Sequence, residues 1–90
     1  MATTNLTFTK QGEEWVSTFT ATGAGIVEIE RKGQGNCSVL ANISGMNAVP
    51  IASFQNPYVS NVIFDLDIPA GIEVTIKSAT EVTAAKMFTE

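Results

Sequence analysis

Apolar and polar residues alternate with a period of two along most of this chain, the pattern of strands that bury one face and wet the other. Between Tyr58 and Ile68, the residues Tyr58, Val62, Phe64, Leu66 and Ile68 share one face, and Asn61, Asp65 and Asp67 share the other. Ile72, Val74 and Ile76 then alternate with Glu73, Thr75 and Lys77. The link Ile68-Pro69-Ala70-Gly71 has Pro and Gly where a type I turn places them, so these two strands are expected to form a hairpin. Upstream, Leu6 and Phe8 alternate with Thr7 and Thr9, and Trp15 and Phe19 with Val16, Thr18 and Thr20. Val27, Ile29 and Arg31 alternate with Glu28 and Glu30, and Cys37, Val39, Ala41 and Ile43 with Ser38, Asn42 and Ser44.

Turn-forming clusters separate these runs at Lys10-Gln11-Gly12, Thr22 to Gly25, Lys32 to Asn36, Ser44-Gly45 and Gln55-Asn56-Pro57. Their spacing of roughly 8 to 12 residues is typical of sandwiches and barrels. The expected fold is all-β: one antiparallel β-sandwich domain over residues 1–90, immunoglobulin-like or jelly-roll-like, with roughly seven to eight short strands. Two segments read less simply. Met46 to Phe54 contains Pro50, which cannot donate to a ladder, so it is expected to be an edge strand or packed loop where the sheet can switch layers. Glu81 to Phe88 opens as a strand, although Ala84-Ala85-Lys86-Met87 would suit a helix, and the strand reading is preferred.

Composition agrees with strands: Val, Ile and Thr supply 27 of the 90 residues, and β-branched side chains pack well on a pleated surface. A hydrophobic fraction of 44% with 16% charge excludes a disordered chain, and no apolar run is long enough for a membrane-spanning helix. The net charge of −4, with five basic side chains scattered singly, argues against nucleic-acid binding. The first residues carry neither a basic nor an apolar leader segment, which points to synthesis in a cytoplasm. Without that leader, the three Asn-x-Ser/Thr triplets at Asn5, Asn36 and Asn42 read as chance matches.

Candidate chemistry is sparse. The chain has no His and one Cys, so a Cys–His nucleophile pair cannot be assembled, and Cys37 alternating with Val39 and Ala41 reads as a core thiol. Asp65 and Asp67 share a strand face about 7 Å apart, but Ca²⁺ wants six to eight oxygens, and the pair reads as a solvated face; so does Glu28 with Glu30. Gly23-Ala24-Gly25 and Gly33-Gln34-Gly35 open no recognisable helix and read as hairpin turns rather than phosphate cradles. Trp15, spaced with Phe19, reads as the packing centre of the sandwich, with sugar stacking the alternative. No catalytic residue, metal ligand or cofactor follows, and the expectation is a protein that is not an enzyme.

The runs Leu6-Thr7-Phe8-Thr9-Lys10, Glu14-Trp15, Gly25 to Arg31 and Ile68 to Ser78 resemble the short Thr-rich strands of small β-sandwich structural proteins of tailed bacteriophages. Capsid auxiliary or decoration proteins and the bases of head or collar fibres are the nearest company. The resemblance implies a virion protein, made in the host cytoplasm, that binds a major capsid protein or head-fibre proteins as a homo-oligomer or symmetric array. It carries no motif that transfers residue by residue. The segments Ala2 to Leu6, Met46 to Tyr58 and Met87 to Glu90 are less clearly core than the central strands, so Ala2, Leu6, Pro50, Phe54, Tyr58, Met87 and Phe88 are the candidate interface residues. A free-standing carbohydrate-binding or adhesion module is the alternative.

Overall fold

The computed structural model describes residues 2–42, 49–54 and 61–89, and among them there is no helix. Nine strands follow one another: β1 (Ala2–Asn5), β2 (Thr9–Gln11), β3 (Glu14–Thr20), β4 (Gly25–Arg31), β5 (Cys37–Asn42), β6 (Val49–Phe54), β7 (Val62–Leu66), β8 (Glu73–Ser78) and β9 (Val82–Thr89). They form a four-stranded sheet in the order β1-β9-β4-β7 and a five-stranded sheet in the order β2-β3-β8-β5-β6. Every pairing is antiparallel.

The pairings are nested. β5 pairs with β6, β4 with β7, β3 with β8, and β1 with β9, as in one long folded-over hairpin. That hairpin is then wound on itself, bringing β9 beside β4 and β8 beside β5. This is the jelly roll, built from eight strands in two sheets of four. The three-residue β2 adds a lip to the edge of β3. Its two-residue loop begins with Gly12 at φ 65°, the left-handed conformation that a tight hairpin of this length asks of its first residue.

The winding corrects the expected hairpin between Ile68 and Ile72, because β7 and β8 lie in opposite sheets. Val62 and Leu66 can then face Val74 and Ile76 across the core rather than lie beside them in one sheet. The connecting segment hydrogen-bonds to Ala21 instead of closing a turn on itself: Ala21 N donates to Ile72 O at 2.8 Å, and Gly71 N to Ala21 O at 2.8 Å. The Gly23–Gly25 and Gly33–Gly35 segments likewise carry the chain from one sheet to the other, and are not hairpin turns. β6 is an edge strand, as Pro50 requires, and the β5–β6 register shifts where Leu40 meets Pro50. The segment from Val82 is a strand throughout.

The core is made by inward positions of both sheets, including Val27, Ile29, Leu66, Val39, Val74 and Ile76, with Cys37 among them as expected. Trp15 is half-buried and outside this cluster, so it is not the packing centre; inward positions of β4 and β8 fill the middle instead. At one end the core is closed by polar groups. Arg31, 6% exposed, donates from Nη1 to Ser78 Oγ at 3.3 Å and to Asn36 O at 3.4 Å. Ser78 Oγ donates to Thr80 O at 2.8 Å and accepts from Thr80 N at 3.3 Å, while Thr80 Oγ1 donates to Gly33 O at 3.0 Å. This network ties the β4–β5 connection to the β8–β9 turn and leaves the Ser78 hydroxyl fully bonded.

Candidate interaction face

The outer face of the β1-β9-β4-β7 sheet carries the unusual side chains. Strand pairing fixes its layout in ranks. Thr3, Phe88, Ile26 and Asp65 stand side by side across the four strands, followed by Asn5, Lys86, Glu28 and Ile63, then by Ala84 opposite Glu30. Neighbours in a rank lie about 4.5–5.5 Å apart at Cβ, close enough to act as one surface. Ile26 is 42% exposed and Ile63 64%, the exposed large hydrophobics among the described residues. Half-buried Phe88 completes the apolar part. The face also carries exposed Glu28, Glu30 and Asp65, with Lys86 opposite Glu28. Two shallow hollows flank Glu28: one of about 180 Å³ bounded by Glu30, Lys86 and Phe88, and one of about 190 Å³ bounded by Asn61 and Ile63.

Alternation explains how the face arises. Val27, Ile29 and Arg31 of β4 and Ala85, Met87 and Thr89 of β9 are buried, so Ile26, Glu28, Lys86 and Phe88 must point outward. Ile63 sits between buried Val62 and half-buried Phe64, on the side the pattern assigned to solvent. The signal that marks it is an isoleucine in a row otherwise held by Asn61, Asp65 and Asp67. Asp65 and Asp67 are both exposed, and among the described residues no group of three or more His, Cys, Asp or Glu is placed to hold a metal ion.

The candidate residues read from the sequence do not converge on one site. Phe88 lies on the face, opposite Ile26 and Thr3. Ala2, in the edge strand β1, pairs with Thr89. Leu6 is half-buried against the core and its N donates to Ala85 O at 2.9 Å. Met87 is a correction: at 2% exposure it belongs to the core, because in β9 it points to the side opposite Phe88. Pro50 and Phe54 lie on β6 in the other sheet, and Tyr58 lies outside the described residues.

Cys37 is fully enclosed, and burial pushes its thiol above the ordinary range, an effect that the nearby Arg31 charge partly opposes. Two outcomes follow. The native protein should resist iodoacetamide at pH 8 and be alkylated quantitatively in urea, as followed by intact mass. The unfolded thiol ionises before the native one, so this group's contribution to stability is complete below the ordinary thiol pKa and shrinks as pH rises above it. Cys37→Ala should therefore flatten the alkaline side of the stability profile measured by urea melts.

No protein family, no curated protein and no solved structure matches this chain.

Proposed function

We propose that this protein is a non-enzymatic structural component of a virus particle, an auxiliary protein that docks on the head shell through the outer face of its four-stranded sheet. The observation that carries the docking reading is the exposure of Ile26, opposite Phe88, and of Ile63 on one face of one sheet. Fully burying an isoleucine is worth about 1.5–3 kcal/mol, so two on one face favour a covered state over a bare one. The carboxylates around them suit a partner that meets them with basic side chains. The virion setting itself rests on the resemblance in the sequence, and the partner class is a major capsid protein or head-fibre protein in a symmetric array. A compact two-sheet sandwich is a serviceable part for such a lattice.

Quantitative mass spectrometry of purified particles tests this reading. A copy number equal to the shell protein's, or a simple fraction of it, is expected, whereas absence from particles would overturn the virion reading. The docking face is tested separately with the double variant Ile26→Thr, Ile63→Thr, which keeps a β-branched side chain at both strand positions. Its melting temperature should stay within a few degrees of the parent's, because both side chains already face solvent. Its particle occupancy should fall at least tenfold, and unchanged occupancy would remove this face as the contact.

A further inference from the structure

A second feature, independent of the docking face, lies at the seam where the two sheets present free edges to each other. β2 covers only Glu14–Val16 of β3, so among the described residues the edge of β3 from Ser17 to Thr20 has no strand on that side. β1 is the edge of the opposite sheet. Between them is a half-open cleft of about 250 Å³ lined by Thr4, Asn5, Leu6 and Thr7 from one side, Ser17 to Thr20 and Thr22 from the other, with Met87 also on its wall.

The lining decides the chemistry. Thr4 and Ser17 stand on the inward side of their strands and Thr7 and Thr22 join them from the connecting segments, whereas Thr18, bonded to Thr75 Oγ1 at 3.3 Å, Thr20 and Asn5 stand on the outward side; no charged residue borders the space, so neither an anion nor a cation finds a counter-charge there. Ser17 is 3% exposed, and its hydroxyl has no side-chain hydrogen bond among the described residues. No described side-chain polar atom is both fully enclosed and unpartnered, so that hydroxyl opens onto the cleft. A hydroxyl open to the cleft bonds water there, and a ligand hydroxyl can take that water's place. Half-buried Phe19 offers an apolar ring beside it. The free edges add backbone N–H and C=O groups, which strand neighbours would otherwise use. The volume is below the roughly 300–1,000 Å³ of sites for drug-sized ligands, which leaves room for one ring.

We infer that this cleft binds a neutral, polyhydroxylated ring, that is, one monosaccharide unit, with hydroxyls bonded by Ser17, Thr4, Thr7 and Thr22 and its C–H face laid against Phe19. A ligand of this kind matches alternating polar and apolar walls. The test is a titration of the ¹⁵N-labelled protein, followed by amide shifts, with glucose, galactose, mannose and N-acetylglucosamine, and with glycerol and glucuronate as comparators. At least one neutral sugar should give saturable shifts confined to residues 4–7 and 17–22, with a Kd of about 1–10 mM, typical of a single small ligand with few contacts. Glucuronate should bind less well than glucose. Ser17→Ala should weaken binding at least threefold with the amide spectrum otherwise unchanged. Phe19→Ala should weaken it at least tenfold, its fold verified by the same spectrum. No saturable shift with any of the four sugars, glycerol shifts of the same size and location, or shifts centred elsewhere would each overturn the inference. Particle occupancy plays no part in this readout, so it stands or falls apart from the docking reading.

Discussion

Gly25→Ala should lower the melting temperature by about 12 °C or more, and Gly25→Val should leave no folded protein at 37 °C. Gly25 opens β4, the inner strand between β9 and β7, where it stands opposite Thr89 and Leu66. A Cβ at this position would overlap the carbonyl oxygen of Phe88 and lie 2.9 Å from Thr89 Cγ2. The first neighbour is backbone held in the sheet, so it cannot swing aside as a flexible side chain would. Relief requires β4 and β9 to part locally, with loss of ladder hydrogen bonds. Overpacking in a well-filled site costs about 1–3 kcal/mol, and this clash belongs at or above the upper end. For a domain of this size each kcal/mol corresponds to about 4–8 °C. Gly33→Ala is the control, because a Cβ there meets Thr80 Cγ2 at 3.5 Å, an ordinary contact, and its melting temperature should change by only a few degrees. Equal melting temperatures for Gly25→Ala and Gly33→Ala would show that the close approach is not as drawn.

Ile29→Ala should destabilise the protein by about 2–5 kcal/mol in urea melts with an unchanged slope. Ile29 is 0% exposed and is among the largest fully buried side chains, with Val62 and Ala85 opposite it on the neighbouring strands. Removing three carbons there forfeits transfer energy and leaves a cavity that two packed sheets cannot easily collapse around. Ile63→Ala is the matched comparison: the same residue type in the same sheet, but 64% exposed, with an expected change within about 0.5 kcal/mol. A domain of this kind has only about 5–15 kcal/mol in total, so the first substitution threatens folding and the second does not. Similar losses for the two would mean that the sheet faces the other way.

That contrast also bears on function. An isoleucine that contributes little to folding at Ile63 is free to contribute to contact with a partner, whereas Ile29 is committed to the core. The docking face and the cleft share β1: Thr3 and Asn5 stand in the outer ranks, and Thr4 and Asn5 line the seam. A partner seated over Phe88 and Ile26 would therefore sit next to the cleft, not over the opposite sheet.

Much of the fold was legible because a half-buried strand writes its two faces directly into alternate residues. The inward rows Val27-Ile29-Arg31, Cys37-Val39-Ala41 and Val74-Ile76 were readable from period alone, as was the buried thiol, while the missing N–H of Pro50 left an edge strand or a packed loop, of which the structure has the edge strand. The error at Trp15 has a simple cause: periodicity tells which face a residue shares, not how near the centre of the sheet it lies, and Trp15 sits toward the end beside Ser78. Met87 and Phe88 were grouped as a surface tail, although consecutive strand residues must point to opposite faces, and once β9 was paired with β4 one of them had to be core.

The sequence by itself determined an all-β sandwich, which residues lie on the same face of each strand, and the lack of a His-based or phosphate-cradling motif. Each of these is local, set by side-chain alternation, turn residues and residue inventory. Only the tertiary structure decided the strand order, because β1 meets β9 and β3 meets β8 across most of the chain, and no local signal records such pairings. It alone brought Ile26, Ile63 and Phe88 from three strands onto one face, and opened the uncharged seam between β1 and β3. Those two surfaces are products of the winding: partners distant in sequence become neighbours only when the long hairpin closes on itself.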